Sequence, residues 1–106
     1  LRVVEADGVV GYAIAIVADD PLAYVPEFAV DPAEHDQGYG TVLLRDLVAH
    51  LCAAGVERVR LTAREGDTHA RQFYARRGFA VVDRIPDDFE DEDGVLYERR
   101  VGEASE

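Results

Sequence analysis

The chain has 106 residues, enough for a single domain spanning 1–106 with a modest core, and its 22 acidic residues against 11 basic ones give a formal net charge of −11. That balance argues against nucleic acid as a partner, because phosphate binding needs basic patches. A single cysteine, Cys52, rules out an internal disulfide framework, and no apolar run is long enough to cross a membrane.

Every Lys/Arg position is Arg, and the acids are spread along the whole sequence. Such a surface either attracts a cationic substrate or is adapted to high salt, where the Debye length shrinks to about 3 Å at 1 M. The absence of Lys and the even spread of acids favour the salt-adapted reading. The chain begins with Leu1, as a fragment would, and shows no charged-then-apolar leader, so a cytoplasmic setting is expected.

Residues 1–7 and 9–18 are apolar and β-branched, with Asp7-Gly8 between them, a hairpin signal. A third run, Ala23 to Val30, follows Asp19-Asp20-Pro21, so three antiparallel strands are predicted at the start. The stretch Val30-Asp-Pro-Ala-Glu-His-Asp-Gln-Gly-Tyr-Gly40 then turns the chain into a leucine-rich segment. There Leu43, Leu44, Leu47, Val48 and Leu51 recur at spacings of three and four, which predicts an amphipathic helix from Gly40 that ends at Gly55.

Next, Val59, Leu61 and Ala63 alternate with Arg60, Thr62 and Arg64, a half-buried strand. Asp67 or Thr68 caps a short helix carrying Ala70, Phe73 and Tyr74 on one side, and Gly78 stops it. Two last strands, 79–85 and 95–101, flank an acidic loop over Asp87–Asp93. A calcium loop needs its first ligand five residues before its glycine, and for Gly94 that position is Phe89, so a solvated loop is expected. His35, His50 and His69 have no neighbouring Cys or carboxylate pattern that reads as a metal site. The element order is βββαβαββ.

The glycine pair Gly38-Tyr39-Gly40 at a strand-to-helix turn is the chemically informative feature. A helix start exposes backbone N–H groups whose dipoles favour an anion, and glycine lets that anion come close. The nucleotide signatures are missing: residue 43 is Leu where a dinucleotide fingerprint needs its third Gly, and the phosphate-loop Lys has no counterpart. A tight turn and a phosphate cradle both fit these residues taken alone.

Here the sequence resembles the GNAT superfamily of N-acetyltransferases. Two motifs carry the resemblance: His35-Asp36-Gln37-Gly38-Tyr39-Gly40 after a strand ending in Val-x-Pro, and, some thirty residues on, Asp67, Ala70, Phe73-Tyr74 and Gly78-Phe79. The resemblance spans about residue 8 to residue 82. It implies a mixed, mostly antiparallel sheet flanked by helices, with acetyl-CoA as co-substrate and no metal. The family's first strand and two N-terminal helices have no counterpart here. The implied chemistry is direct attack of an amine on the acetyl group in a ternary complex. The alternative is a coenzyme A-binding module without transferase activity.

The resemblance also implies roles for particular residues. The backbone N–H groups of His35, Asp36, Gln37, Gly38, Tyr39, Gly40 and Thr41 would hold the pyrophosphate. Phe28, Ala29 and Val30 would meet the pantetheine arm where the third and fourth strands diverge. Asp67 would stand near the cofactor in place of the family's Asn. Tyr74 would protonate the departing thiolate, although an aromatic residue on a helix also reads as core. Glu27, just before the pantetheine contacts, is the candidate general base.

Some departures bear on this. His35 and Asp36 replace residues usual in the loop, and Asp36 brings negative charge near a diphosphate; two such charges at 4 Å repel by about 1 kcal/mol in water and about 4 at an effective dielectric of 20. Thr62 stands near where members acting on protein N-termini can carry Glu, which lowers the expectation of such an acceptor. The partner implied is a small-molecule or peptide amine, and a homodimer is compatible with this reading.

Overall fold

The computed structural model describes residues 2–8, 11–19, 21–30 and 38–101, with backbone alone at 2–8, 18, 19, 27 and 30. Six strands and two helices follow the expected βββαβαββ order: β1 Arg2–Gly8, β2 Gly11–Asp19, β3 Leu22–Val30, α1 Tyr39–Ala53, β4 Arg58–Arg64, α2 Thr68–Arg76, β5 Ala80–Phe89 and β6 Glu92–Arg100. The result is a mixed α/β fold with mostly antiparallel strands. The chain divides into two units, Leu1–Val59 with Arg100–Glu106, and Arg60–Arg99.

In the first unit β1, β2 and β3 form an antiparallel meander. The Asp7-Gly8 pair is the end of β1 and not the centre of a turn, because the ladder continues to Gly8↔Gly11. The β-branched run simply extends the pairing past a dipeptide that favours turns. Between Ile14↔Glu27 and Ile16↔Tyr24 the register slips, so Val25 and Pro26 together oppose Ala15. Pro26 has no N–H to offer a ladder, and a bulge is where a strand tolerates it.

Helix α1 packs on this meander. Its buried stripe is Leu43, Leu44, Leu47 and Leu51, and the strands contribute Ala13, Ala15 and Val17 from β2 with Ala23 and Val25 from β3. Burying each leucine contributes roughly 1.5–3 kcal/mol. The helix begins one residue earlier than its glycine suggests, at Tyr39, and Gly38 precedes it in the left-handed region at φ 84°. At the other end Gly55, at φ 92°, terminates it as expected.

Strand β4, which starts in the first unit and ends in the second, buries Val59, Leu61 and Ala63 in the predicted alternation, and β6 lies between β4 and β5. Arg60 Nε donates to Glu98 Oε1 at 2.7 Å and Glu65 N donates to the Asp93 carbonyl at 3.0 Å. Asp67 caps α2: its Oδ1 accepts from Ala70 N at 3.0 Å. Gly78, at φ 90°, ends α2 one residue after its Arg77 cap. The core of the second unit gathers Leu61, Ala63, Tyr74, Phe79, Val95 and Tyr97.

The acidic stretch is not a loop. Asp87, Asp88 and Phe89 belong to β5, Glu92 and Asp93 to β6, and only Glu90-Asp91 turn. The charges have specific partners. Arg64 donates to Asp91 Oδ1 at 2.9 Å and lies over the Phe89 ring at 4.5 Å, while Gly66 N donates to Glu92 Oε2 at 2.6 Å. The hydrogen bond to Asp91 most of all, with Glu92 beside it, holds the Arg64 guanidinium above its ordinary pKa. Asp87, at φ 55°, absorbs the irregular pairing between Ile85 and Phe89, and its N–H donates to Asp93 Oδ1 at 2.9 Å.

Candidate functional site

The expected phosphate cradle falls on the start of α1. His35, Asp36 and Gln37 lie outside the described residues. What is described fits an anion. Gly38 occupies the N-cap in a conformation that L side chains rarely adopt, and among the described residues no atom beyond its chain neighbours lies within 4 Å of where its Cβ would project. Among the described residues no side chain caps the helix, and its first turn carries no acidic residue. Among the described residues, then, this 15-residue helix starts from a glycine N-cap that has no side chain to offer, and its first turn adds no negative charge to oppose an anion at the positive end of the dipole. Tyr39 is exposed, and Gly40 and Thr41 complete the first turn.

The strand residues expected beside the cofactor arm are in β3. Phe28 pairs with Ala13, Ala29 with Tyr12 and Val30 with Gly11, just beyond the Val25-Pro26 bulge. Phe28 is half-buried and Ala29 exposed. Glu27 pairs with Ile14, and its backbone belongs to β3.

In the second unit, Asp67 is the N-cap of α2, so its carboxylate has a local structural task. Tyr74 is 7 % exposed and sits among aromatic rings: Phe73 at 5.6 Å, Phe79 at 5.8 Å and Tyr97 at 5.9 Å between centroids. Burial pushes its phenol up to about 12, with the Asp67 and Tyr97 charges adding to the shift. The packed and the chemical readings of Tyr74 are thus compatible: it is core, and it keeps its proton at neutral pH.

This shift makes a prediction about alkaline stability. A phenol whose folded pKa lies above the ordinary 10 favours the folded state fully below 10, and that contribution disappears as pH rises through about 12. Stability should fall across that window, and the fall should be smaller in Tyr74→Phe. Denaturant midpoints at pH 9 and pH 11 in both proteins check it.

Two neighbours escaped the sequence reading. Arg71, on α2, donates from Nε to the Tyr97 hydroxyl at 3.0 Å and from a terminal nitrogen to the Glu65 carbonyl at 3.1 Å. The partners lie 26 residues apart, and no local pattern links them. Among the described residues no group of three or more His, Cys, Asp or Glu is arranged to hold a metal ion. No described helix is long and apolar enough to cross a membrane.

Comparison with known proteins agrees with these features. The model of the acetyltransferase (GNAT) family matches residues 2–79. A [ribosomal protein bS18]-alanine N-acetyltransferase of Haemophilus ducreyi is 35% identical over 82 residues, covering 77% of this chain and 56% of that protein. The chain thus spans about half the length of that curated relative. Among solved structures, Ard1 from Thermoplasma volcanium superposes with a TM-score of 0.85 at 25% identity, over 89% of this chain and 64% of that one. A GNAT family acetyltransferase from Elizabethkingia anophelis with acetyl-CoA bound gives 0.82 at 18% identity, over 89% of this chain and 70% of that one, a likeness of fold. The chain belongs to the GNAT family of acetyltransferases.

Proposed function

We propose that residues 1–106 act as one acetyl-CoA-binding domain that transfers the acetyl group to an amine, in the cytoplasm. The observation that carries this is the start of α1 behind a left-handed glycine, where among the described residues no side chain caps the helix and none crowds the glycine. Bound acetyl-CoA supplies an activated acetyl thioester. The N–H groups of His35 to Thr41 hold its pyrophosphate, and the backbone of Phe28, Ala29 and Val30 meets its pantetheine arm. Asp67 caps α2 and so fixes the helix that carries Tyr74.

Tyr74 acts at the departing sulfur. Its pKa of about 12 lies above the roughly 8.5 of an ordinary thiol, so full proton transfer is uphill. Its first contribution is a hydrogen bond that stabilises charge as it develops, with the proton following. Glu27 accepts the proton that the amine must lose, directly or through water.

The acceptor is a small or peptide amine. The relative from Haemophilus ducreyi is named for an alanine N-terminus, which makes an alanine-initiated peptide the first probe. Thr62, in place of a family Glu, is the feature against it. A test is release of free thiol from acetyl-CoA in the presence of a panel of amines that includes this peptide. Amine-dependent release is expected. Binding of acetyl-CoA without release by any amine would favour the module without transferase activity.

The acidic surface supports adaptation to high salt. Among the described residues no charged side chain is buried, so the described charge lies in reach of solvent ions. Folding concentrates a net charge of −11, and salt screens it. Melting temperature should rise between low and molar potassium chloride; a gain of about 1 kcal/mol appears as roughly 4–8 °C in a chain of this size. A flat or falling melt would remove the adaptation. A homodimer remains compatible with this reading, and sedimentation would decide it.

A further inference from the structure

We infer that Arg71 and Tyr97 are positioning residues for Tyr74, an inference that rests on the acetyl-transfer reading above. Three observations converge. First, Tyr97 is 2 % exposed on β6, and its ring packs against that of Tyr74, with centroids 5.9 Å apart. Second, the Tyr97 hydroxyl accepts from Arg71 Nε at 3.0 Å. Third, Arg71 is itself fixed by a hydrogen bond to the Glu65 carbonyl at 3.1 Å, in the turn just before α2.

The guanidinium is planar and forked, so two hydrogen bonds to two different elements fix its orientation. Through it the turn after β4, the middle of α2 and β6 are tied to one another beside Tyr74. Arg71 and Tyr74 are three apart on α2, and so share a face. The Tyr97 ring is therefore a wall set from behind by Arg71, and Tyr74 is held between that wall and the edges of Phe73 and Phe79. Arg71 does not need to touch a substrate to matter. A phenol that must meet a reacting atom loses rate steeply when displaced, up to about 10²-fold for 1 Å.

An Arg that serves α2 alone would leave Tyr74 indifferent to its loss. The test combines Arg71→Gln, Tyr97→Phe and the double variant with Tyr74→Phe as reference. Tyr97→Phe keeps the ring and removes only the acceptor. Arg71→Lys, which keeps charge and helix propensity without the fork, serves if Arg71→Gln does not fold. The first readout needs no activity: carbon NMR of labelled tyrosines, with the Tyr74 resonance assigned from its absence in Tyr74→Phe. The second is kcat and KM for acetyl-CoA with the alanine-initiated peptide or whichever amine of the panel turns over.

The Tyr74 resonance is expected to shift in each single variant. The expected fall in kcat is about 10- to 100-fold, with KM for acetyl-CoA unchanged. In the double variant kcat falls no further than in either single one, because both remove the same connection. An unmoved Tyr74 resonance in Arg71→Gln overturns the positioning role, whatever the rates do. A moved resonance with unchanged kcat, while Tyr74→Phe is slow, overturns it as well. Full turnover by Tyr74→Phe removes the catalytic role of Tyr74 itself, and the inference with it.

Discussion

Tyr74→Phe is expected to lower kcat by roughly 10²–10⁴-fold while leaving the affinity for acetyl-CoA and the fold intact. The substitution keeps the ring that packs against Phe73, Phe79 and Tyr97, and removes one oxygen. If Tyr74 were core alone, the rate would barely change. If its hydroxyl stabilises the departing sulfur, the loss falls on kcat and not on KM, because the interaction exists only as the bond breaks. Steady-state kinetics with the best acceptor of the panel, together with a thermal melt, separates the two. Equal turnover by the variant and the parent would remove the role. A slower variant with a lowered melting temperature and weaker binding would point to damaged packing.

The second large effect concerns Gly38. Aspartate there must adopt φ 84°, a left-handed conformation that costs an L residue about 1–2 kcal/mol. It also brings a carboxylate to the helix start where a diphosphate is proposed to sit. Each pair of unit charges at 4 Å repels by about 1–4 kcal/mol, depending on screening. At about 1.4 kcal/mol per factor of ten, affinity for acetyl-CoA should fall by two orders of magnitude or more. Gly55→Asp is the matched control. Gly55 has φ 92° and equally open space around a Cβ, but lies at the opposite end of α1. Both variants carry the positive-φ strain, and the helix dipole favours the new carboxylate at Gly38 and opposes it at Gly55, so Gly55→Asp should lose more stability; a binding loss confined to Gly38→Asp then cannot come from backbone strain.

The fold was legible wherever the signal was local. Gly55 and Gly78 stop their helices because the chain there needs positive φ, a demand written in one residue. The alternation of β4 and the leucine stripe of α1 follow from period alone. Sequence reading went astray where distant partners decide. The Asp7-Gly8 pair looks like a turn, but β2 extends the ladder through it. The acidic run looks like a solvated loop until Arg64 and the Gly66 N–H appear as partners for Asp91 and Glu92, and Arg64 covers Phe89. Around the proposed site, the glycine before α1, the Asp67 cap and the packed ring of Tyr74 were readable as local structure. Arg71 and Tyr97 were not, since a hydrogen bond spanning 26 residues leaves no trace in spacing.

The most direct measurement is one titration: acetyl-CoA into the parent chain, Gly38→Asp and Gly55→Asp, followed by calorimetry. Saturable binding in the micromolar range is expected for the parent and for Gly55→Asp, and binding weaker by two orders of magnitude or more for Gly38→Asp. Equal affinity in Gly38→Asp and the parent would contradict this, because the start of α1 would then not be where the diphosphate is held.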